Sequence, residues 1–134
     1  MSEAANVQMV HDLFAAFGRG DLDSVMGMLA EDVDWWNFGP AELGYTGVRR
    51  GKQQVRQFFE QIDSAFDHQA VVPREFIAQG DQVAVTGDER VLVKANGVTV
   101  ENPWCMIFTF RDGKIARWRC YEDTATVLGA MRGG

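Results

Sequence analysis

Val7, Val10, Phe14 and Phe17 recur at three- and four-residue steps, so they fall on one side of a 3.6-residue helix over residues 3–20 that Gly18 and Gly20 end. Asp21 is a good N-cap for a second helix, in which Leu22, Val25, Met26 and Leu29 repeat the spacing before Glu31 and Asp32 close it. A short aromatic run over residues 33–38 predicts a strand, and the Gly-rich stretch 40–50 predicts a loop. Val55, Phe58, Phe59, Ile62 and Phe66 then define a third amphipathic helix from about Gly51. After it the period changes to two. Residues 71–78, 82–93, 98–110 and 114–124 are rich in Val, Ile, Phe and Trp, and the turn pairs Gly80-Asp81, Asn96-Gly97 and Asp112-Gly113 separate them. These four segments predict an antiparallel meander.

Three helices followed by a meander is an α+β order: a cone of three N-terminal helices packed on a strongly curved, mainly antiparallel sheet, with a pocket between the two layers. At 134 residues without internal repeats, the expectation is a single domain spanning 1–134. Nine Phe and four Trp supply bulk for one core. Thirteen Lys and Arg against nineteen Asp and Glu leave a net charge of −6, which repels phosphate backbones and argues against nucleic acid as a partner. No apolar run approaches the roughly 18 residues of a membrane span, and the first thirty residues carry Glu3, Asp12, Asp21 and Asp23 with no basic start. A soluble, cytoplasmic protein that does not engage membranes is expected. Cys105, Cys120, His11 and His68 are too few and too scattered for a metal cluster, and both cysteines read as reduced and buried.

Candidate chemistry follows from strand register. If Asp112-Gly113 is a two-residue turn, Asn102 faces Asp123, Trp104 faces Tyr121 and Cys105 faces Cys120. Alternation then groups Asn102, Trp104, Met106 and Phe108 with Tyr121 and Asp123 on one face, and Cys105, Ile107, Trp118 and Cys120 on the other. Asp123 is accordingly either a partly desolvated acid or base or a residue that caps the strand end or bonds Asn102. Trp35 and Asn37 point the same way on the first strand, an indole donor beside an amide. The run Asp88-Glu89-Arg90 reads as a solvated patch, although Arg90 interrupts an apolar strand and could hold a carboxylate. With Asn96-Gly97 as the turn, Arg90 lies opposite Pro103 and away from Asp123 unless a bulge at Gly87 or Pro103 reverses it.

The segments Gly47-Val48-Arg49-Arg50-Gly51-Lys52-Gln53-Gln54-Val55 with Phe58-Phe59, Gly80-Asp81-Gln82-Val83, and Asp112-Gly113-Lys114-Ile115 before Trp118-Arg119-Cys120-Tyr121-Glu122-Asp123-Thr124 resemble the SnoaL-like group of the nuclear transport factor two-like superfamily. The resemblance implies an α+β cone, commonly a homodimer through the outer sheet face, with no metal or organic cofactor. In SnoaL-like polyketide cyclases an aspartate on the last strand is the acid-base group, and Asp123 matches it. Limonene epoxide hydrolases are similar, and there Arg90 and Asn37 look like the family's Arg and Asn. Trp35 and Leu92 stand where its Tyr and second Asp would be, which puts epoxide hydrolysis in third place. Ketosteroid isomerases carry a donor Tyr on the first helix, where this chain has Phe14 and Phe17.

The function expected is a cofactor-free acid-base enzyme of isomerase, cyclase or lyase type acting on a small apolar carbonyl compound. Asp123 would move the proton, and Phe17, Trp35, Asn37, Arg90, Asn102, Trp104 and Tyr121 would hold the substrate. The alternative is a small-molecule-binding or dimerising accessory domain without catalysis. An outer face carrying Ile107 and Trp118 motivates the homodimer.

Overall fold

A computed structural model describes residues 2–133. The elements run α1 (Glu3–Gly18), α2 (Leu22–Gly27), β1 (Leu29–Asn37), a 3-10 turn (Ala41–Leu43), β2 (Gly47–Arg50), α3 (Lys52–Ala65), β3 (Phe66–Gln79), β4 (Gln82–Val93), β5 (Thr99–Arg111), β6 (Lys114–Glu122) and α4 (Thr124–Met131). One six-stranded sheet has the order β2-β1-β6-β5-β4-β3, antiparallel throughout except where β1 runs parallel to β6. The expected helices-then-meander architecture is therefore present, and the chain has the α+β fold of a helical layer on a curled open sheet. Among the described residues no helix is long and apolar enough to cross a membrane.

Local chemistry accounts for the helices. Ser2 accepts a hydrogen bond from Ala5 N at 3.0 Å at the start of α1, and the Asp21 side chain caps α2 by accepting from Ser24 N at 3.1 Å. On α3 the stripe Val55, Phe58 and Phe59 is buried against the sheet. Val10 and Val25 from the helices and Val83, Val85, Phe108 and Ile115 from the sheet are fully enclosed between the layers. Register shifts at His68/Ala70 and Pro73/Glu75 leave extra residues on the 14-residue β3, which bends a strand that would otherwise be too long and flat to wrap the helices.

Five features differ from the sequence expectation. Leu29 belongs to β1 and not to α2, because the helix stops at Gly27, whose lack of a side chain makes it a poor helix residue. The third strand begins at Phe66, directly after α3. Short, polar β2 lies inside the stretch expected to be loop, and α4 follows β6 where no helix was expected. The link between β4 and β5 is also longer than two residues: Val93 N donates to Val98 O at 2.8 Å, so residues 94–97 form the turn.

On the outer sheet face Trp36, Phe38 and Tyr121 form a continuous stack, with ring centroids 4.2 and 4.7 Å apart. Trp118 does not join them. It is buried on the inner face, stacked on Trp35 at 4.1 Å, which corrects its expected place beside Ile107.

Gly87 on β4 is opposite Trp104 on β5, and the indole lies over the glycine. A Cβ there would sit 2.4 Å from Val72 O and 2.5 Å from the Trp104 ring, with backbone on one side and a packed indole on the other. Gly87→Ala is expected to lower the unfolding free energy by about 1–3 kcal/mol, measured by urea denaturation, as overpacking does in a filled core.

Candidate functional site

The register of β5 and β6 determines what faces the cone. Arg111 pairs with Lys114 and Phe110 with Ile115, as a two-residue Asp112-Gly113 turn requires, but Thr109 then pairs with Arg117. Ala116 is left over, a bulge that slips the rest of β6 by one residue, so Trp104 pairs with Glu122 and Met106 with Cys120. Because side chains alternate, one residue of slip exchanges the faces. Trp118, Cys120 and Glu122 point inward, while Tyr121 is 44% exposed in the outer aromatic stack. Cys105 pairs with Tyr121 and does not oppose Cys120; both cysteines are free, but only Cys120 is buried as expected, Cys105 being half-buried.

Asp123, expected to face the pocket, lies beyond the strand as the exposed N-cap of α4. Its carboxylate accepts from Thr126 Oγ1 at 2.6 Å and Thr126 N at 3.2 Å, and these bonds hold it below the usual carboxylate range. The capping alternative is the one the geometry matches, at a helix and not a strand end. Arg90, also expected at the pocket, is on the outer face opposite Glu101, with Nη1 3.8 Å from Glu101 Oε1 and a side chain 57% exposed. No bulge separates residues 87–90 from their partners on β5, so the face is not reversed.

The inner face instead carries a polar stripe across four strands. Glu89 on β4 is opposite Asn102 on β5; Asn102 Nδ2 donates to Glu122 Oε2 on β6 at 3.3 Å; Asn37 on β1 pairs with Cys120, two residues before Glu122. Tyr45, reaching over from the loop before β2, donates its hydroxyl to Glu122 Oε1 at 2.7 Å. A cavity of about 100 Å³ lies against this stripe, lined by Glu89, Glu122, Asn37 and Tyr45 and by an aromatic wall that includes Phe14, Phe17, Trp35, Phe58, Trp104 and Trp118. Phe17 and His68, which meet edge to face at 5.5 Å, line both this cavity and an outer groove of about 530 Å³ between α1, α3 and β3.

Of the residues expected at a pocket, Phe17, Trp35, Asn37 and Trp104 line this chamber, and buried Asn102 lies behind it on Glu122. Sequence reasoning missed Glu89, Glu122, Tyr45 and His68. Glu89 was visible as an acid inside an alternating strand, two residues before the apolar Val91 that shares its face.

Desolvation dominates the electrostatics. Burial pushes the Glu89 carboxyl up to about 8; the neighbouring Glu122 charge adds to this and the Asn102 amide partly opposes it. Glu122 is raised for the same first reason, but hydrogen bonds from Tyr45 and Asn102 favour its ionised form and the Asp123 charge works against it. Burial and the adjacent Glu122 hold the Tyr45 phenol above its ordinary value, so it remains a donor. His68 is lowered by burial, with Asp63 and Asp67 opposing, and is neutral at pH 7.

The raised carboxyls have a definite consequence for stability. Folded Glu89 binds its proton more tightly than the unfolded chain, so its contribution falls as pH rises from about 4.5 through about 8 and stays low above that. Glu89→Gln is therefore expected to stabilise the protein at pH 9 relative to the parent far more than at pH 5, read from thermal melts at the two pH values. An equal effect at both would show that Glu89 titrates normally.

With this geometry, the comparisons with known proteins agree. The SnoaL-like domain family matches residues 10–118. A nuclear transport factor two-like protein from Burkholderia xenovorans is 34% identical, with 98% of each chain covered and a TM-score of 0.87. TerC, whose structure was determined with polyporic acid, is 25% identical with a TM-score of 0.87, covering 96% of this chain and 99% of that one. An uncharacterized protein from Mycobacterium tuberculosis is 28% identical over 93% of this chain and 95% of its own. The curled sheet and the helical layer on it are thus those of a SnoaL-like domain with the nuclear transport factor two-like fold, and the chain belongs to that family.

Proposed function

We propose that the protein is a cofactor-free acid-base enzyme of the isomerase or cyclase type, acting on a small, largely apolar carbonyl compound held in the aromatic chamber. The observation that carries this reading is the pair of inward carboxyls, Glu89 and Glu122, set in one apolar enclosure by different hydrogen-bond environments. Two interacting acids in one site titrate as a pair, and the environment decides which holds the proton. Tyr45 and Asn102 both donate to Glu122, so Glu122 is the carboxylate; Glu89, pushed up to about 8, keeps its proton at pH 7.

In this mechanism Glu122 removes a proton from the carbon next to the substrate carbonyl while Glu89 donates its proton to the carbonyl oxygen, giving a neutral enol. The pair begins and ends with one proton, which has changed sides. Return of the proton from Glu122 to a different carbon, with Glu89 taking back the enol proton, completes an isomerisation; attack of the enol carbon on a second carbonyl, with Glu122 protonating the new alkoxide and Glu89 taking back the enol proton, closes a ring. The acid-base role anticipated for Asp123 thereby passes to its neighbour Glu122. That TerC, a protein of this fold, was co-crystallised with polyporic acid supports an organic small molecule as the ligand.

Enolisation can be tested without the natural substrate, by following exchange of the α-protons of cyclohexanone in deuterated buffer by NMR. Exchange above the buffer rate is expected, and Glu122→Gln should reduce it by roughly 10²–10⁴-fold, the usual contribution of a positioned acid or base. No exchange by the parent protein would overturn the reading in favour of a binding domain without turnover.

We further propose that a second copy of the chain covers the outer aromatic stack. Supporting this, Trp36 and Tyr121 are 37% and 44% exposed, and Arg119, which binds Asp34 Oδ2 at 3.2 Å, lies over Trp36. A dimer mass by light scattering is expected at micromolar concentration, with Trp36→Glu shifting it to monomer; a monomeric parent would refute it.

A further inference from the structure

Among the described residues, three that line the chamber carry a buried polar atom without a hydrogen-bond partner, Trp35 Nε1, Trp104 Nε1 and Asn37 Oδ1, and Asn102 Oδ1 behind Glu122 is another. The three lining residues are 2%, 4% and 5% exposed, so bulk water does not serve them. Buried polar groups in native proteins are almost always satisfied, and three left open around one cavity describe the complement of a missing molecule. Two are donors and one is an acceptor.

Charge narrows the class further. Among the described residues no Lys or Arg lines the chamber or the outer groove, whereas Glu89 and Glu122 line the first and Glu60, Asp63 and Asp67 the second. An anion here would be desolvated beside carboxyls with no cation to pair with, which is the costly way to bury charge. Size adds a third limit. About 100 Å³ is on the scale of a single ring, somewhat below the roughly 150 Å³ cavity that encloses benzene elsewhere.

We propose that the chamber takes an uncharged cyclic hydroxy-carbonyl compound one ring wide, whose oxygens accept from the Trp35 and Trp104 indoles and whose hydroxyl donates to Asn37 Oδ1. This rests on the acid-base reading for the chemistry but on separate atoms for recognition. The carbonyl oxygen has a second lone pair for Glu89, so binding and proton transfer use the same ligand pose. Any larger part of the substrate extends past Phe17 and His68 into the acidic groove and carries no negative charge. A phosphate-bearing or carboxylate form of the same ring is excluded, so the step that supplies this substrate must release it free of any anionic carrier.

The test uses the four indole N–H resonances of the ¹⁵N-labelled full chain, assigned with Trp35→Phe and Trp104→Phe, and Trp36 on the outer face as an internal control. 3-Hydroxycyclohexanone should move the Trp35 and Trp104 indole protons downfield and leave Trp36 in place. Cyclohexanecarboxylate should move neither, and Asn37→Leu should weaken the hydroxy-ketone about tenfold, the loss of roughly one hydrogen bond. Equal shifts with the carboxylate, or no indole shift with the hydroxy-ketone, would overturn the proposal. Exchange of the probe's α-protons is read in the same sample: exchange without indole shifts rejects this occupant and keeps the acid-base reading, and indole shifts without exchange do the reverse.

Discussion

The site depends on one unpaired residue. Ala116 has no partner on β5, and everything on β6 after it is displaced by one position relative to an ideal ladder. Without that bulge Tyr121 and Asp123 would face the cone and Glu122 would face solvent. With it, a glutamate enters the aromatic enclosure, its neighbour is released to cap α4, and the tyrosine joins an outer stack. Catalytic candidate, helix start and surface aromatic are all set by the same slip.

Such an arrangement works against stability. Two carboxyls share an enclosure whose walls are mostly aromatic and aliphatic, and burial raises both. What keeps the pair tolerable is that the acids are not equivalent: the phenol and the amide converge on Glu122, and a proton neutralises Glu89. Desolvation is thereby converted into a difference between two groups, which is the condition for one to take a proton as the other gives one up.

Most of the fold was legible because its signals are periodic and local. The α1 and α3 stripes, the Asp21 cap and the turns at Gly80-Asp81 and Asp112-Gly113 stand where the pattern of residues places them. Trp35, Asn37 and Trp104 were found because they lie on strands with uninterrupted alternation near the chamber. The rest fails for identifiable reasons. Counting from a turn carries no information about a bulge, so Glu122 and Asp123 were exchanged and Tyr121 was placed indoors. Tyr45 lies in a Gly-rich loop with no period to orient it. Helix α4 is apolar on nearly every side, so it shows no stripe; its only mark is Asp123 ahead of Thr126, a cap that a strand-minded reading assigns to chemistry.

The parallel pairing of β1 with β6 fixes when the site can exist. β1 is made early and β6 late, yet β6 lies between β1 and β5, so the sheet is open at its centre until residues 114–122 have been synthesised. Until then Trp35 and Asn37 are on one piece of sheet and Glu89 and Asn102 on the other. Such sequence-distant closure is slow compared with hairpin formation, and a nascent chain waits with two unpaired strand edges. The last strand therefore acts as the keystone of assembly: the molecule gains its inner pair of carboxyls in the same event that pairs the two central strand edges.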